Sequence, residues 1–449
     1  MSGATALSAG DTAWVLMSAA LVMLMLPGLA LFYGGLVRGK NSLNTLMMTV
    51  AALGVVTMQW VGIGYSLAFS PGNPVSGGLS WSGFAGVHGD ANPTYAATIP
   101  HLAFAAFQAM FAAITVALVS GAVVERMKFR AYLLFVLLWT TVVYDPLAHW
   151  VWGEGGWLRS LGALDFAGGT VVHISAGASA LVAALFLGSR YDFRRTAIVP
   201  HNVPFTVLGA GLLWFGWFVF NAGSALSASA LAADALVTTH AAAATALTTW
   251  IVLDLLRTGR STAVGAATGA VVGLVAITPA AGFVTPLAAL AIGALAAGAS
   301  YAAIQARAKT RIDDALDVFA CHGVAGITGA LLTGVFATKV VNPAGANGLL
   351  AGNAAQVGVQ FLAIVATIVL AAVGTTVILG VVNATVGLRV PLGDELAGVD
   401  LSEHGEQAYH GGGDLGELAG RRISIGDSVL IPAAEVGRAT SVGLRRAKT

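Results

Sequence analysis

The chain has 449 residues, 57% hydrophobic and only 10% charged, with a formal net charge of +1. Soluble domains carry roughly a quarter charged residues, so a water-soluble globular fold is excluded. The apolar runs are continuous rather than alternating, which excludes a β-barrel.

Taking about 20 apolar residues per crossing, eleven spans are predicted, near 12–33, 43–69, 100–123, 130–149, 167–188, 204–223, 229–256, 263–280, 283–305, 318–338 and 355–386. Residues 1–11 hold no Lys or Arg and no convincing cleavage site follows, so the first run reads as a true span rather than a signal peptide. The seventh and eleventh spans are long enough to tilt. Abundant Gly and Ala point to close helix packing through small residues.

Loops after odd-numbered spans carry Arg38, Lys40, Arg126, Lys128, Arg130, Arg190, Arg194, Arg195, Arg257, Arg260, Arg307, Lys309 and Arg311. Loops after even-numbered spans carry only Arg159 and Lys339. The positive-inside rule then places the N-terminus outside and the C-terminal tail in the cytoplasm of a multi-pass cell-membrane protein.

Two spans share a local pattern. His173 and His322 each follow an aspartate, Asp165 or Asp317, and each precedes Ala-Gly and a small hydroxyl residue. The copies lie about 150 residues apart. With an odd number of spans per half, the halves are predicted to form an inverted repeat, about 12–195 and 200–340, with the helix at 355–386 outside the symmetry. The fold class is therefore all-α polytopic, with a 1–388 membrane domain and a polar 389–449 cytoplasmic tail.

Ionisable side chains at bilayer depth point to function. A neutral imidazole both donates and accepts, so a histidine pair can guide a small polar molecule through a dry pore. The competing reading is two core histidines satisfied by their neighbours. Phe107 and Phe111 share a face of span 3; Trp217, Phe220, Asn221 and Ser224 share a face of span 6. Such spacings also describe ordinary packing. Trp152, just past span 4, is either an interfacial belt residue or a cation-attracting face. Asp165 reads better as a helix N-cap than as a cation ligand, and Asp317 admits the same two readings. Cys321 is the one cysteine, which excludes an internal disulfide. No catalytic pair, metal cluster or cofactor motif accompanies these groups, so an enzyme is not expected. No nucleic-acid partner is expected either.

Several segments resemble the ammonium transporter (Amt/Mep/Rh) family. They are Phe32-Tyr33-Gly34-Gly35-Leu36-Val37-Arg38-Gly39-Lys40-Asn41, Tyr144-Asp145-Pro146-Leu147-Ala148-His149, the run from Asp165 to His173, Phe220-Asn221-Ala222-Gly223-Ser224, Asp317 to Gly323, and Asp400 to Glu406. The likeness runs in order from about residue 12 to 409. It implies a homotrimer with one narrow pore per protomer, carrying ammonium or methylammonium. By position, Trp152, Phe107 and Ser224 become the outer recruitment site, and Phe111 and Phe220 the gate. His173 and His322 become the paired imidazoles, with Trp217 beside them, and Asp165 the family's essential aspartate supporting the outer site. Trp152 with Ser224 favours the Amt branch over the Rh branch. A PII-type regulatory protein at the cytoplasmic face is a trait of the family, and the Asp400–Glu406 motif is consistent with a docked tail. An ammonium sensor with little flux and an Rh-type neutral-gas channel are the alternatives.

Overall fold

The computed structural model describes residues 6–409, helical nearly throughout. In chain order the main helices are α1 (Ala9–Leu36), α2 (Gly39–Phe69), α3 (His101–Val123), α4 (129–152), α5 (Gly169–Leu187), α6 (Val203–Ala225), α7 (Ala230–Thr258), α8 (Ala263–Ile277), α9 (Pro286–Arg307), α10 (Phe319–Phe336) and α11 (Ala355–Thr385). All but α8 are long and apolar enough to cross a membrane. The protein is a polytopic helical membrane protein. A hydrocarbon interior offers the backbone no water, so each helix must satisfy its N–H and C=O groups internally. Outward-facing Met58, Leu208, Leu287 and Val377 are exposed, as faces bathed in lipid require.

The helix starts are set by local chemistry. Asn202 accepts from the Phe205 N–H at 3.0 Å, Thr262 from Gly265 at 2.9 Å and Thr285 from Ala288 at 3.3 Å. Pro204 and Pro286 follow in first-turn positions, where the missing N–H costs nothing. The span expected at 263–280 stops at Ile277, because the chain turns there ahead of Pro279. Helix α1 is broken at Leu24, close to Pro27.

Four helices contain π-helical stretches: Trp60–Gly64 in α2, Thr140–Tyr144 in α4, Gly169–Ile174 in α5 and Phe319–Val324 in α10. The last two carry His173 and His322. Such wide turns gather at functional sites. Helix α5 crosses α10 at its glycines: a Cβ on Gly177 would collide with the backbone of Gly323.

One side of the bundle carries a small antiparallel hairpin, β1 (Ala91–Asn92) and β2 (Ala96–Pro100). The other side carries the end of the described chain, including α12 (Leu392–Ala397) and α13 (Val399–His404). These are the hairpin side and the tail side below. Segment 388–409 is stitched onto the bundle rather than hanging free. Asp400 accepts from Leu43 and Asn44 N–H at 3.0 and 2.7 Å, which caps α2. Glu403 accepts from Phe129 N–H at 2.8 Å, at the start of α4. Glu395 accepts from Tyr191 N–H at 2.7 Å and pairs with Arg389 at 2.6 Å. The tail expected from 389 onward is thus docked through 409, and its remainder, 410–449, lies outside the described residues.

Beneath this segment lies a buried ionic network. Glu125 pairs with Arg38 at 3.0 Å and Arg190 at 2.7 Å, Arg190 pairs with Asp313 at 2.7 Å, and Asn41 donates to Glu125 at 2.7 Å. Burial alone would raise the Glu125 carboxyl, but Arg190 and Arg38 overcome it and hold the group at about 2.

Candidate functional site: two cavities joined by a dry waist

A cavity of about 490 Å³ opens on the hairpin side and one of about 500 Å³ on the tail side. Between them lies an apolar waist of about 10 Å³, lined among others by Leu29, Ile114, Trp217, Phe220, His173 and His322. That is no more than the volume needed to hold one water. His322 lines both the waist and the tail-side cavity.

The hairpin-side cavity is built from three helix ends. Trp152 is the last residue of α4, because α4 continues past the expected boundary at 149 through its π turn. Its indole N–H donates to the Asp165 carbonyl at 2.9 Å, which fixes the ring and leaves its π-face available. The Ser224 hydroxyl donates to the Phe220 carbonyl at 2.9 Å. Its oxygen can therefore only accept from whatever enters. An aromatic face beside an acceptor-only oxygen suits a cation that carries nothing but donors.

Phe111 and Phe220 close the floor of this cavity. Their rings stack at 4.1 Å and 22°, and Phe111 meets Trp152 edge-on at 6.2 Å. Phe107 packs against Phe111 at 4.9 Å and is fully buried, so it stands behind the cavity wall rather than lining it.

Below the two phenylalanines, the imidazoles of His173 and His322 meet Nδ1 to Nδ1 at 3.4 Å. Two protonated Nδ1 atoms cannot share that contact, so at least one ring is neutral and presents an unprotonated Nδ1 to the other. No described residue reaches His173 Nε2. Trp217 stacks on His173 at 5.2 Å while its N–H donates to Thr278 at 2.9 Å. The spacing of Trp217, Phe220 and Ser224 along α6 thus becomes one wall running from cavity to waist.

Asp165 acts as a cap. Its carboxylate accepts from Gly168, Gly169, Thr170 and Val171 N–H groups at 2.6 to 3.2 Å, and from the Thr170 hydroxyl. Gly168 takes φ 112°, a conformation favouring glycine, and a side chain there would strike Val172. This loop both starts the π turn that carries His173 and presents the carbonyl that holds Trp152.

Asp317 fills neither expected role. It is salt-bridged to Arg307, and the capping acceptor for Phe319 N–H is Asp314 at 2.7 Å. Asp317 sits at φ 57°, which turns its side chain toward α9 instead of α10.

Two contributors carry no sequence motif. Gln360 of α11, 1% exposed, accepts from Leu164 N–H at 2.7 Å and donates to the Leu164 carbonyl at 2.8 Å, clamping the loop before Asp165. Gln108 lines the hairpin-side cavity with an unpartnered amide oxygen. A polar residue within an apolar span was the available signal in both cases.

A sequence model described as the Ammonium Transporter Family matches residues 13–409. The chain is 49% identical over 401 residues to an ammonium transporter of Bacillus subtilis (strain 168), covering 89% of this chain and 98% of that one. It is 44% identical over 406 residues to Ammonium transporter Amt1 of Archaeoglobus fulgidus, covering 90% and 100%. Among solved structures, Candida albicans Mep2 aligns with a TM-score of 0.83 at 37% identity, over 90% of this chain and 91% of that one. A structure titled Sensor Amt Protein aligns with a TM-score of 0.81 at 29% identity, over 88% and 98%.

Proposed function

The chain belongs to the ammonium transporter family, and from that premise we propose how its two cavities and dry waist move ammonium. An ammonium ion from the hairpin side is held by the Trp152 face and the Ser224 oxygen, with Phe107 shaping the site from behind Phe111. Transferring an intact ion into a low-dielectric waist costs of order 20 kcal/mol in the idealised Born limit. A cation–π contact of about 0.5–2 kcal/mol cannot offset that. Ammonium therefore sheds its proton near the Phe111–Phe220 gate and passes His173, Trp217 and His322 as NH3, regaining a proton on the tail side. Sodium and potassium have no proton to lose, so selectivity follows from acid–base chemistry. The observation that carries this reading is the His173–His322 Nδ1 contact in a waist of about 10 Å³.

The same reading takes the hairpin side as external and the tail side as cytoplasmic, in agreement with the placement of Lys and Arg. It takes α8 as a further crossing, giving eleven, with α1–α5 and α6–α10 as inverted halves and α11 outside them. Residues 1–388 form the transport domain and 389–449 the cytoplasmic tail. A homotrimer in the cell membrane and a PII-type partner at the tail side belong to the same proposal.

The test is uptake of ammonium or methylammonium into proteoliposomes with current recorded alongside. Flux without current assigns the proton to the external side; flux with current assigns a relay through the histidines. Binding without flux favours the sensor reading, which the likeness to the Sensor Amt Protein keeps in view. Unchanged rate and selectivity after replacing both histidines with leucine would remove them from the mechanism.

A further inference from the structure

The tail-side cavity contains ionic groups that the pathway above does not use. Arg190 lines it but is occupied by Glu125 and Asp313. Arg307 and Asp317 line it and pair with each other. Arg194 is exposed and donates to the Thr310 carbonyl at 3.0 Å. Asp254 is different. It lines the cavity at 8% exposure and forms no salt bridge among the described residues. Its Oδ2 accepts from the Thr262 hydroxyl at 2.9 Å and the Thr262 N–H at 3.3 Å, and the Tyr301 hydroxyl stands within hydrogen-bonding reach of the carboxylate.

Two aromatic residues lie in the same cavity wall. Trp250 stands four residues, one helical turn, before Asp254 on α7, and Tyr301 faces it from α9. Their rings meet edge-on at 5.2 Å, and they are 4% and 9% exposed. A carboxylate without a cationic partner among the described residues, set beside two rings in the cavity beyond a dry waist, is a combination that attracts a small cation. The geometry points to a second cation site, formed by Asp254, Trp250 and Tyr301, that holds the ammonium ion on the tail side before release and captures it first when transport runs in reverse.

The chemistry parallels the Trp152–Ser224 site, with one difference. The hairpin-side site offers a neutral oxygen, whereas the tail-side site offers a charged one. Arg257, one turn beyond Asp254 on α7, and Arg194 at the cavity are the cations whose repulsion this carboxylate must overcome. The site is thus expected to bind its cation more tightly, with a lower half-saturating concentration from the tail side, when either arginine is made neutral.

This inference rests on the transport reading, and sidedness separates the two. Methylammonium transport is measured in right-side-out and everted membrane vesicles containing the full chain. Absence of transport by the unaltered protein in both would sink the transport reading itself. Given transport, Asp254→Asn should raise the half-saturating concentration from the tail side by fivefold or more, with less than a twofold change from the hairpin side. Asparagine still accepts from Thr262, so the start of α8 keeps its partner. Tyr301→Leu should repeat the one-sided shift, and Tyr301→Phe, which keeps the ring face, should not. Equal shifts on both sides, or none, in both Asp254→Asn and Tyr301→Leu would overturn the site. Size-exclusion elution like that of the parent excludes loss of fold as the cause.

Discussion

At the scale of single residues, the hairpin-side site turns on a ring and a carboxylate that divide the work. In the proposed reading Trp152 supplies the attractive face, while Asp165 caps the loop that holds it, through four backbone N–H groups. Removing the face with Trp152→Leu should raise the half-saturating ammonium concentration about 2- to 30-fold, the span of an exposed to a desolvated cation–π contact. The maximal rate should change less, because the waist is untouched. Concentration-dependent uptake in proteoliposomes measures both. Asp165→Ala leaves four backbone donors without their acceptor. A loss of at least about 2 kcal/mol is expected, seen as a lowered melting temperature in detergent together with loss of uptake. Asp165→Asn keeps one acceptor oxygen and should fall between. Asp165 could be read as a cap beforehand because its donors lie three to six residues ahead in the chain. Asp317 could not, since what decides its role is Arg307 on another helix. Local partners leave a trace in sequence spacing; distant ones leave none.

At the scale of helices, the histidines meet because α5 and α10 approach through Gly177 and Gly323. A methyl at Gly177 has no room, so Gly177→Ala should cost about 1–3 kcal/mol by overpacking and slow transport by parting the imidazoles. Melting temperature and initial uptake rate should fall together. If the rate fell with stability intact, the crossing would matter only for geometry. Ten of the eleven expected spans are helices long and apolar enough to cross a membrane, since a long apolar run has few alternatives. The π turns were not legible. When a helix is apolar all round, an extra residue in a turn changes no hydrophobic pattern, so α4 was expected to stop at 149 and Trp152 to stand beyond it. Gln360 and Gln108 escaped notice for a related reason: a lone amide in a span carries no spacing to read.

At the scale of the whole molecule, the tail side is locked by charges. Glu125 has a carboxyl held at about 2, below the ordinary 4.5. Its stabilisation is therefore complete above about pH 4.5 and is lost as the pH falls toward 2. The melting temperature should drop through that window, and less steeply in Glu125→Gln. Arg190 keeps Asp313 and Arg38 keeps Asp192, so the substitution should cost less at pH 7 than the about 3–5 kcal/mol of a wholly unpaired buried charge. Asp400→Ala should act differently. It uncaps α2 and loosens segment 388–409 while leaving the bundle folded, a change that limited proteolysis would report as cleavage near the tail.

The dry waist has an electrical consequence. In the proposed pathway, water in the two cavities conducts and the apolar waist between them does not, so most of any transmembrane voltage falls across those few ångströms. A charge crossing there exchanges about 2.3 kcal/mol with each 100 mV, whereas a neutral molecule exchanges none. Voltage thus becomes a direct probe of what passes the histidines. A rate indifferent to applied potential identifies an uncharged passenger, and one that rises about tenfold or more per 100 mV identifies a charge moving with it.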